Sequence, residues 1–329
     1  MAESDNRLEL LARVASLYYD QKKRQDEIAD EIGMTRSAVS RLLTKAEKIG
    51  IVEHIVHYPW RTSSDLEQAL QVTFHLKGVS VLQRQEKSYN EMLNGMGVLA
   101  AQYFTSLLPD IHSVGVSWGS GLYHLVQAFR PQSRPDMEVV QLMGGTGGER
   151  GSSIGPLLAP SLANHLGCTC CFLHAPLIMK NETARDAILE DQTIRQTLEK
   201  AEHCDVALVG IGSISPELYN PYRLGYLSAE ELEDMHASGI VGDVAGIHYD
   251  INGNYLGDHW INHCWIGISE ETLRKIPLVM GVAGDAQKAE AIYGALRAGY
   301  IDVLITDDLA ARRVLELHRQ FNARKNAGK

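Results

Sequence analysis

Long apolar segments and export signals are absent from this chain of 329 residues. No run approaches the ~18 uninterrupted apolar residues of a membrane-spanning helix. The N-terminal sequence MAESDNRLEL carries acids and lacks the apolar core of a signal peptide. Cysteine is also scarce, and an odd count of five without an export signal favours reduced thiols over a disulfide framework. We therefore expect a cytoplasmic globular protein that is long enough for two domains.

Positive charge, the usual mark of a nucleic-acid-binding protein, is lacking overall, since the formal net charge is −10. The excess of negative charge is distributed unevenly along the chain. Residues 1–61 hold ten basic and ten acidic side chains, whereas the rest of the chain holds 21 basic and 31 acidic ones. Within residues 34–48, four cations accompany a single acid, Glu47. The basic surface is therefore local, and DNA binding would depend on dimerisation and correct docking instead of bulk attraction.

Residues 25–48, QDEIADEIGMTRSAVSRLLTKAEK, match a helix-turn-helix. Ala29 falls where two helices cross closely, and Gly33 falls in the turn, where a positive φ is needed. Val39 would pack the second helix onto the first, and Thr35 would cap it. The outward face is polar and basic, which suits a major groove, although an ordinary amphipathic helix pair remains the alternative. The predicted DNA-binding residues are Thr35, Arg36, Ser37, Ser40, Arg41, Thr44 and Lys45.

Neighbouring segments complete a predicted winged helix-turn-helix domain over residues 1–61. Helical spacing of apolar residues predicts a first helix over 7–20. The β-branched residues of 51–58 predict a strand, one arm of a wing, and residues 61–64 are predicted to be a linker. The remaining residues, 62–329, would form the effector-binding and oligomerisation domain.

Short β-rich runs alternate with helical ones from Gly78 onward. The predicted strands cover 78–83, 113–117, 138–143, 169–174, 205–210, 277–284 and 302–306. The predicted helices cover 65–76, 88–107, 121–129, 156–166, 183–201, 286–298 and 308–320. The apolar run WINHCWIGI, which begins at Trp260, is predicted to be a further strand. The alternation predicts a large doubly wound α/β domain, in which helices cover both faces of a parallel sheet.

Glycines and small polar residues follow several of these strands, at the edge where open parallel sheets bind ligands. Backbone N–H groups and a helix N-terminus there would suit an anion, and we expect Lys288 to supply positive charge to a phosphate. Glycines also mark ordinary turns, Asp243 could be a turn aspartate, and Arg223 could be a plain surface arginine. The loops match neither a Walker A motif nor a dinucleotide fingerprint. The predicted effector-binding residues are Gly119, Ser120, Gly121, Gly144, Gly145, Thr146, Arg223, Asp243 and Lys288.

Catalytic residues, metals and cofactors are not predicted. Asp243 could serve as a general base, but no partner carboxylate or histidine is evident from spacing. His259, His263 and Cys264 have metal-like spacing. In a strand, however, residues i and i+4 lie far apart, which disfavours a metal site there.

The chain resembles the SorC family (SorC/DeoR type) of bacterial sugar-responsive regulators over nearly its whole length. The resemblance rests on TRSAVSRLLTKAEKIGIV near the N-terminus, and on VGVSWGSG, LMGGTGG, LVGIGS and GVAGDAQKAEAIYGALRAGYIDVLITDDLAARRVL in the large domain. It implies a winged helix-turn-helix and an effector domain related to sugar-phosphate isomerases and CoA transferases. It also implies homodimers or homotetramers that bind operator DNA and a phosphorylated sugar, with the phosphate in the Gly119–Gly121 loop. The rest of that effector would be surrounded by Gly144, Gly145, Arg223, Asp243 and Lys288.

These observations together predict a DNA-binding transcriptional regulator of a carbohydrate or polyol catabolic operon, controlled by a sugar phosphate or related sugar. Two alternatives remain open. One is a sugar-phosphate isomerase-like enzyme fused to a DNA-binding head, which turnover of pentose and hexose phosphates would reveal. The other is a DNA-binding scaffold whose large domain only assembles oligomers, which would show no ligand-induced thermal shift.

Overall fold

Two compact units make up the chain, Met1–Pro59 and Trp60–Lys329. The computed structural model describes residues 2–52, 59–146, 155 and 157–327. Among the helices in these ranges, none combines the length and the apolar character that crossing a bilayer requires.

Three helices form the smaller unit: α1 (Ala2–Tyr19), α2 (Gln25–Ile32) and α3 (Arg36–Lys48). Ala29 lies in the buried core that all three helices share, where a small side chain allows close packing. Gly33 ends α2 with a φ of +69°, a conformation that glycine adopts without strain. The predicted helix-turn-helix is therefore confirmed, and the first helix begins earlier than its apolar spacing indicated.

The segment between the two units is only partly described. The predicted wing strand over 51–58 lies outside the described residues from position 53 onward. The segment over 61–64, predicted to be a linker, is instead tied to the larger unit, because Gln83 donates its N–H to the Arg61 carbonyl at 2.8 Å. Main-chain hydrogen bonds to a neighbouring strand thus replace the free linker that the sequence suggested.

A single sheet organises the larger unit. Its strands are β1 (Gly78–Leu82), β2 (Ser113–Val116), β3 (Glu138–Gln141), β4 (Thr169–Cys171), β5 (Val206–Ser213), β6 (Ile240–Val244), β7 (Ile247–Asp250), β8 (Leu278–Val282) and β9 (Val303–Asp307). Seven of them are parallel neighbours in the order β1-β9-β8-β5-β2-β3-β4, and β6 and β7 extend the end of β5 as an antiparallel hairpin.

Helices cover both faces of this sheet, as the sequence predicted. Their bounds are α4 (Ser64–Phe74), α5 (Tyr89–Leu107), α6 (Ser120–Ala128), α7 (Leu158–Leu166), α8 (Glu182–Leu189), α9 (Gln192–Glu202), α10 (Asn220–Arg223), α11 (Ala229–Ala237), α12 (Trp260–Cys264), α13 (Glu270–Lys275), α14 (Ala289–Ala298) and α15 (Asp308–Ala327). Helices α5, α6 and α7 share one buried apolar cluster with the sheet, and α4, α9, α14 and α15 share another. The doubly wound α/β fold is therefore confirmed.

The direction in which the strands progress reverses between β2 and β5. From β2 the chain proceeds outward through β3 to β4, and it then returns to β5, beside β2, and proceeds the other way through β8 and β9. In open α/β sheets a crevice forms beyond the carboxyl ends of the strands at such a switch point, and ligands bind there. The carboxyl ends of β2 and β5 therefore mark the place to look for a site.

Two further predictions of local structure are wrong. The single helix predicted over 183–201 is broken into α8 and α9, because the Asp191 carboxylate accepts the N–H groups of Thr193 and Ile194 and so starts a new helix. The strand predicted from Trp260 begins instead as helix α12, which the His259 side chain caps. An apolar run of this length does not distinguish a strand from a buried helix by periodicity.

Candidate functional site

A cavity of about 590 Å³ lies at the switch point, as the strand order predicts. Its walls come from the loop after β2, from the end of β5, and from the hairpin β6–β7. The predicted residues that line it are Gly119, Ser120, Gly121, Arg223, Asp243 and Lys288. Residues far apart in the chain thus meet in one place because parallel strands end at a common edge.

Close backbone approach at the N-terminus of α6 forms one side of the cavity. Gly119 precedes the helix and no side chain caps it, so the N–H groups of the first turn are not satisfied by a capping residue. A Cβ on Gly121 would lie 2.9 Å from the Val282 carbonyl oxygen, and the Gly119 Cα would lie 3.8 Å from a Cβ on Gly210. These glycines let three loops converge, and the helix N-terminus carries the partial positive charge that attracts an anion.

Side-chain donors surround the same helix end. Tyr89 and Ser120 both line the cavity at this helix end, and burial raises the pKa of Tyr89, so its hydroxyl keeps its proton at neutral pH. Arg223 lies at the exposed rim of the cavity, where its Nη1 donates to the Asn220 Oδ1 at 3.4 Å. A helix N-terminus, two hydroxyls and one guanidinium form a surface of hydrogen-bond donors that suits a phosphate.

A different polar corner is formed by Lys288 and Asp243. The Lys288 ammonium donates to the Ile211 carbonyl at 3.1 Å. Burial lowers the pKa of Lys288, and the charges of Asp243 and Asp285 oppose that shift. One cation near two carboxylates is a poor partner for a dianion, so we propose that this corner binds hydroxyl or carbonyl groups, in place of the phosphate role expected from the sequence.

Asp243 combines the two roles that the sequence left open. Its Oδ2 accepts the Gly246 N–H at 3.1 Å and so supports the tight turn between β6 and β7. Its Oδ1 lies against Gly212, where a Cβ would collide with it, and the side chain also lines the cavity. The residue is therefore a turn aspartate with a carboxylate oxygen on the cavity side, where hydroxyl groups of a ligand could donate to it.

The loop at 144–146 does not join the described cavity wall. Gly144 donates its N–H to the Ile266 carbonyl at 2.8 Å, and Gly145 donates to the Ala175 carbonyl at 2.9 Å. Their amides are therefore used in main-chain bridges and are not free for a ligand. Thr146 is buried, and Met143 lines the cavity in place of these three residues. The glycines serve close chain packing, since a Cβ on Gly144 would collide with the backbone of the neighbouring segment.

Sequence reasoning missed the aromatic residues of the cavity. Trp118, Tyr219 and Trp265 line it, and Tyr219 donates its hydroxyl to the Nε2 of His248 at 2.7 Å. The Nδ1 of this fully buried histidine meets the Asn262 Oδ1 at 3.1 Å, and burial lowers its pKa, so the ring is neutral. No sequence signal separates such residues from ordinary core aromatics, since only the fold brings them to the switch point.

Metal ligands are not gathered anywhere in the part of the chain that the structure describes, where no cluster of three or more His, Cys, Asp or Glu side chains could hold an ion. His259 caps α12 and its Nε2 lies 3.3 Å from Asp234. The titratable His248 is fully engaged with Tyr219 and Asn262.

The outward face of α3 forms a second candidate surface, in the smaller unit. Of the residues predicted to contact DNA, Thr35, Arg36, Ser37, Ser40, Arg41 and Thr44 are exposed and Lys45 is half-buried. The Thr35 Oγ1 accepts the Ala38 N–H at 3.3 Å, which caps the helix as predicted. The opposite face buries Val39, Leu43 and Ala46. A rigid helix thus presents hydroxyls and cations on one side, the arrangement that helix-turn-helix proteins use to read a major groove.

Comparison with known proteins gives a consistent result. Residues 58–316 match the family model described as "Putative sugar-binding domain". The chain is 31% identical over 318 residues to the sorbitol operon regulator of Klebsiella pneumoniae, covering 95% of this chain and 100% of that protein. It is 29% identical over 307 residues to the deoxyribonucleoside regulator of Bacillus subtilis (strain 168), covering 93% and 97% of the two chains. The crystal structure of the full-length sorbitol operon regulator SorC from Klebsiella pneumoniae superposes with a TM-score of 0.69 at 30% identity, covering 94% and 99%.

Proposed function

This chain belongs to the SorC family of transcriptional regulators, and we propose that it regulates a carbohydrate or polyol catabolic operon in response to a sugar effector. The relatives described above are named as regulators and not as enzymes, which supports this function over the isomerase alternative. The helix-turn-helix supplies the DNA-binding surface, and the cavity at the switch point supplies the effector site.

The observation that carries the proposal is the division of the cavity into two chemically different parts. The N-terminus of α6, with Ser120, Tyr89 and Arg223, suits an anionic group. Lys288 and Asp243 provide a donor and an acceptor for hydroxyl groups. A sugar phosphate or polyol phosphate matches both parts, whereas an unphosphorylated sugar matches only the second. We therefore propose a phosphorylated sugar or polyol as the effector.

The DNA-binding part of the proposal rests on α3. Arg36, Ser37, Ser40, Arg41 and Thr44 would face the operator, and Thr35 and Lys45 lie beside them. Residues 1–61 have no net charge, so one copy would hold DNA weakly. A homodimer or homotetramer, acting in the cytoplasm on paired half-sites, would supply the missing affinity.

Calorimetric titration of the full-length protein tests the effector. The panel is D-sorbitol 6-phosphate, 2-deoxyribose 5-phosphate and their unphosphorylated parents, chosen because two relatives are named for sorbitol and deoxyribonucleoside pathways. We expect at least one phosphorylated compound to bind more tightly than its parent and to raise the thermal midpoint. Parents that bind more tightly than their phosphates would contradict the anionic subsite. Isomerisation of a bound phosphate by the pure protein would favour the enzyme instead.

A further inference from the structure

A largely buried ionic cluster lies next to the effector cavity and is not explained by ligand binding. The Arg84 Nη1 lies 2.7 Å from the Asp285 Oδ2 and 3.8 Å from the Asp307 Oδ2. The side chains of Arg84 and Asp285 are only 16% and 17% exposed, and that of Asp307 is fully buried. The Arg84 N–H also donates to the Asp308 Oδ1 at 3.0 Å. This cluster joins Arg84, the second residue after β1, to the loop after β8 and to the end of β9.

Asp285 has a strained backbone conformation that is held by hydrogen bonds around the cluster. Its φ is +83° and its ψ is 139°, which side-chain-bearing residues rarely adopt. The Asp285 N–H donates to the Asp307 Oδ1 at 3.0 Å, and the Asp285 Oδ1 accepts the Gln287 N–H at 3.0 Å. These hydrogen bonds hold the strained backbone of Asp285 in place, so losing them would favour a relaxed backbone there.

The strained residue sets the position of Lys288. The Asp285 carbonyl accepts the Lys288 N–H at 3.0 Å, which forms the turn that places Lys288 at the cavity. The Asp285 carboxylate also favours the charged form of the Lys288 ammonium. A change at Lys288 should therefore alter the environment of Asp285, because the two residues share a turn and their charges interact.

Arg84, on the other side of the ion pair, adjoins the segment that enters from the DNA-binding unit. The preceding residue, Gln83, donates its N–H to the Arg61 carbonyl at 2.8 Å, and Ser63 donates to the Val81 carbonyl at 2.9 Å. These are the first hydrogen bonds of the larger unit after its first residue, Trp60. Because Gln83 directly precedes Arg84, a movement of Arg84 would alter the hydrogen bond between Gln83 and Arg61 and so displace residues 61–63.

We propose that the Arg84–Asp285 ion pair couples the effector cavity at Lys288 to residues 61–63, and so transmits effector binding toward the DNA-binding unit. The proposal rests on the proposed function, since it concerns regulation through the same cavity. Such coupling requires an element that can change its conformation, and we assign that role to the strained backbone of Asp285. Arg84 and Asp285 act as positioning residues that need not touch the ligand.

A double-mutant cycle tests the coupling without any ligand. Hydrogen–deuterium exchange, with fragmentation that resolves single amides, is measured for Ser63 and Gln83 in the full-length protein. The four proteins are the unaltered chain, Lys288→Met, Asp285→Asn and the double variant. Asparagine has nearly the same shape as aspartate and keeps an oxygen for the Gln287 N–H, so Asp285→Asn removes mainly the charge.

When Lys288→Met is introduced into the unaltered protein, we expect the exchange rates of both amides to change by at least about threefold. When it is introduced into Asp285→Asn, we expect them to change by less than about 1.5-fold. Arg84→Met should uncouple in the same way, and Arg84→Lys should restore part of the effect. Equal effects in both backgrounds, or no effect in either, would overturn the proposal. Neither outcome depends on a sugar, so failure here is distinct from failure of the ligand titration.

A matched control comes from the opposite ends of the same strands. Lys77 precedes β1, and its Nζ lies 2.9 Å from the Asp302 Oδ1 beside β9. Lys77→Met removes an ion pair of similar length that faces away from the carboxyl edge of the sheet. The effect of Lys288→Met on the Ser63 and Gln83 amides should be unchanged in this background. Its loss there would show a general loosening of the sheet and would also overturn the specific route.

Discussion

Replacing Ser120 by aspartate tests the anionic subsite most sharply, because it places a negative charge where the phosphate should bind. Ser120 is the first residue of α6 and lines the cavity together with Tyr89. A carboxylate at a helix N-terminus stabilises the helix by roughly 0.3–1 kcal/mol, so Ser120→Asp should fold at least as stably as the unaltered protein. Loss of binding would then not result from loss of structure.

The expected loss follows from two terms. Removing the hydroxyl alone, as in Ser120→Ala, costs one hydrogen bond, about 0.5–1.5 kcal/mol or roughly 2- to 13-fold in affinity. A carboxylate about 5 Å from a phosphate adds repulsion of about 3 kcal/mol per unit charge at an effective dielectric constant near 20. Ser120→Asp should therefore weaken a phosphorylated ligand by more than about 100-fold.

Calorimetric titration of both variants with D-sorbitol 6-phosphate and D-sorbitol, or with the pair that binds best, measures this effect. The affinity for the unphosphorylated parent should change by less than about threefold, because that ligand has neither a charge for the new carboxylate to repel nor a phosphate that contacts Ser120. If Ser120→Asp binds the phosphorylated ligand as well as Ser120→Ala does, the phosphate does not occupy the N-terminus of α6. The division of the cavity into two parts would then be wrong.

Four further predictions concern the same cavity, helix α3 and the buried His248. Lys288→Met and Asp243→Asn should each lower the affinity for the phosphorylated ligand and for its parent by the same factor, about tenfold, in calorimetry. A larger loss for the phosphorylated ligand in Lys288→Met would indicate that Lys288 binds the phosphate. Because burial lowers the pKa of Lys288 below its usual 10.5, affinity should fall as pH rises through that lowered pKa and should lose this dependence in Lys288→Met. Arg41→Ala should weaken operator binding by about 1–3 kcal/mol in gel-shift titrations without lowering the thermal midpoint, whereas Arg13→Ala on α1 should not. Burial lowers the pKa of His248 from 6.5, so its contribution to stability is present above pH 6.5 and is lost as pH falls toward the folded-state pKa; His248→Gln should flatten this part of a denaturation-versus-pH profile, and an unchanged slope would refute it.

Much of the fold could be predicted because strong local patterns determine it. Gly33 and Ala29 mark the helix-turn-helix, since a positive φ and a close helix crossing each demand particular residues. The buried parallel strands form continuous apolar runs that differ clearly from the amphipathic helices between them. Short segments such as α12 failed, because five residues carry too little periodicity to identify a helix.

The site was only partly predictable because the sequence of a glycine-rich loop does not show which acceptors its N–H groups bind. Gly119 and Gly144 both follow parallel strands, yet the first lies at the switch point and the second donates to Ile266 in a neighbouring segment. Only strand order distinguishes them, and strand order depends on long-range pairing. For the same reason, the sequence did not predict that Trp118 and Trp265, which are distant in the chain, line the cavity together.

Operator affinity with and without a bound sugar phosphate tests the central claim most directly. The operator is selected by the full-length protein from a random DNA pool, and the ligand is the compound that calorimetry shows to bind. Coupling of the two sites should change the operator Kd by about 5- to 150-fold, and the operator should change the ligand Kd by the same factor. An operator Kd that stays the same when the cavity is saturated with ligand would contradict the account.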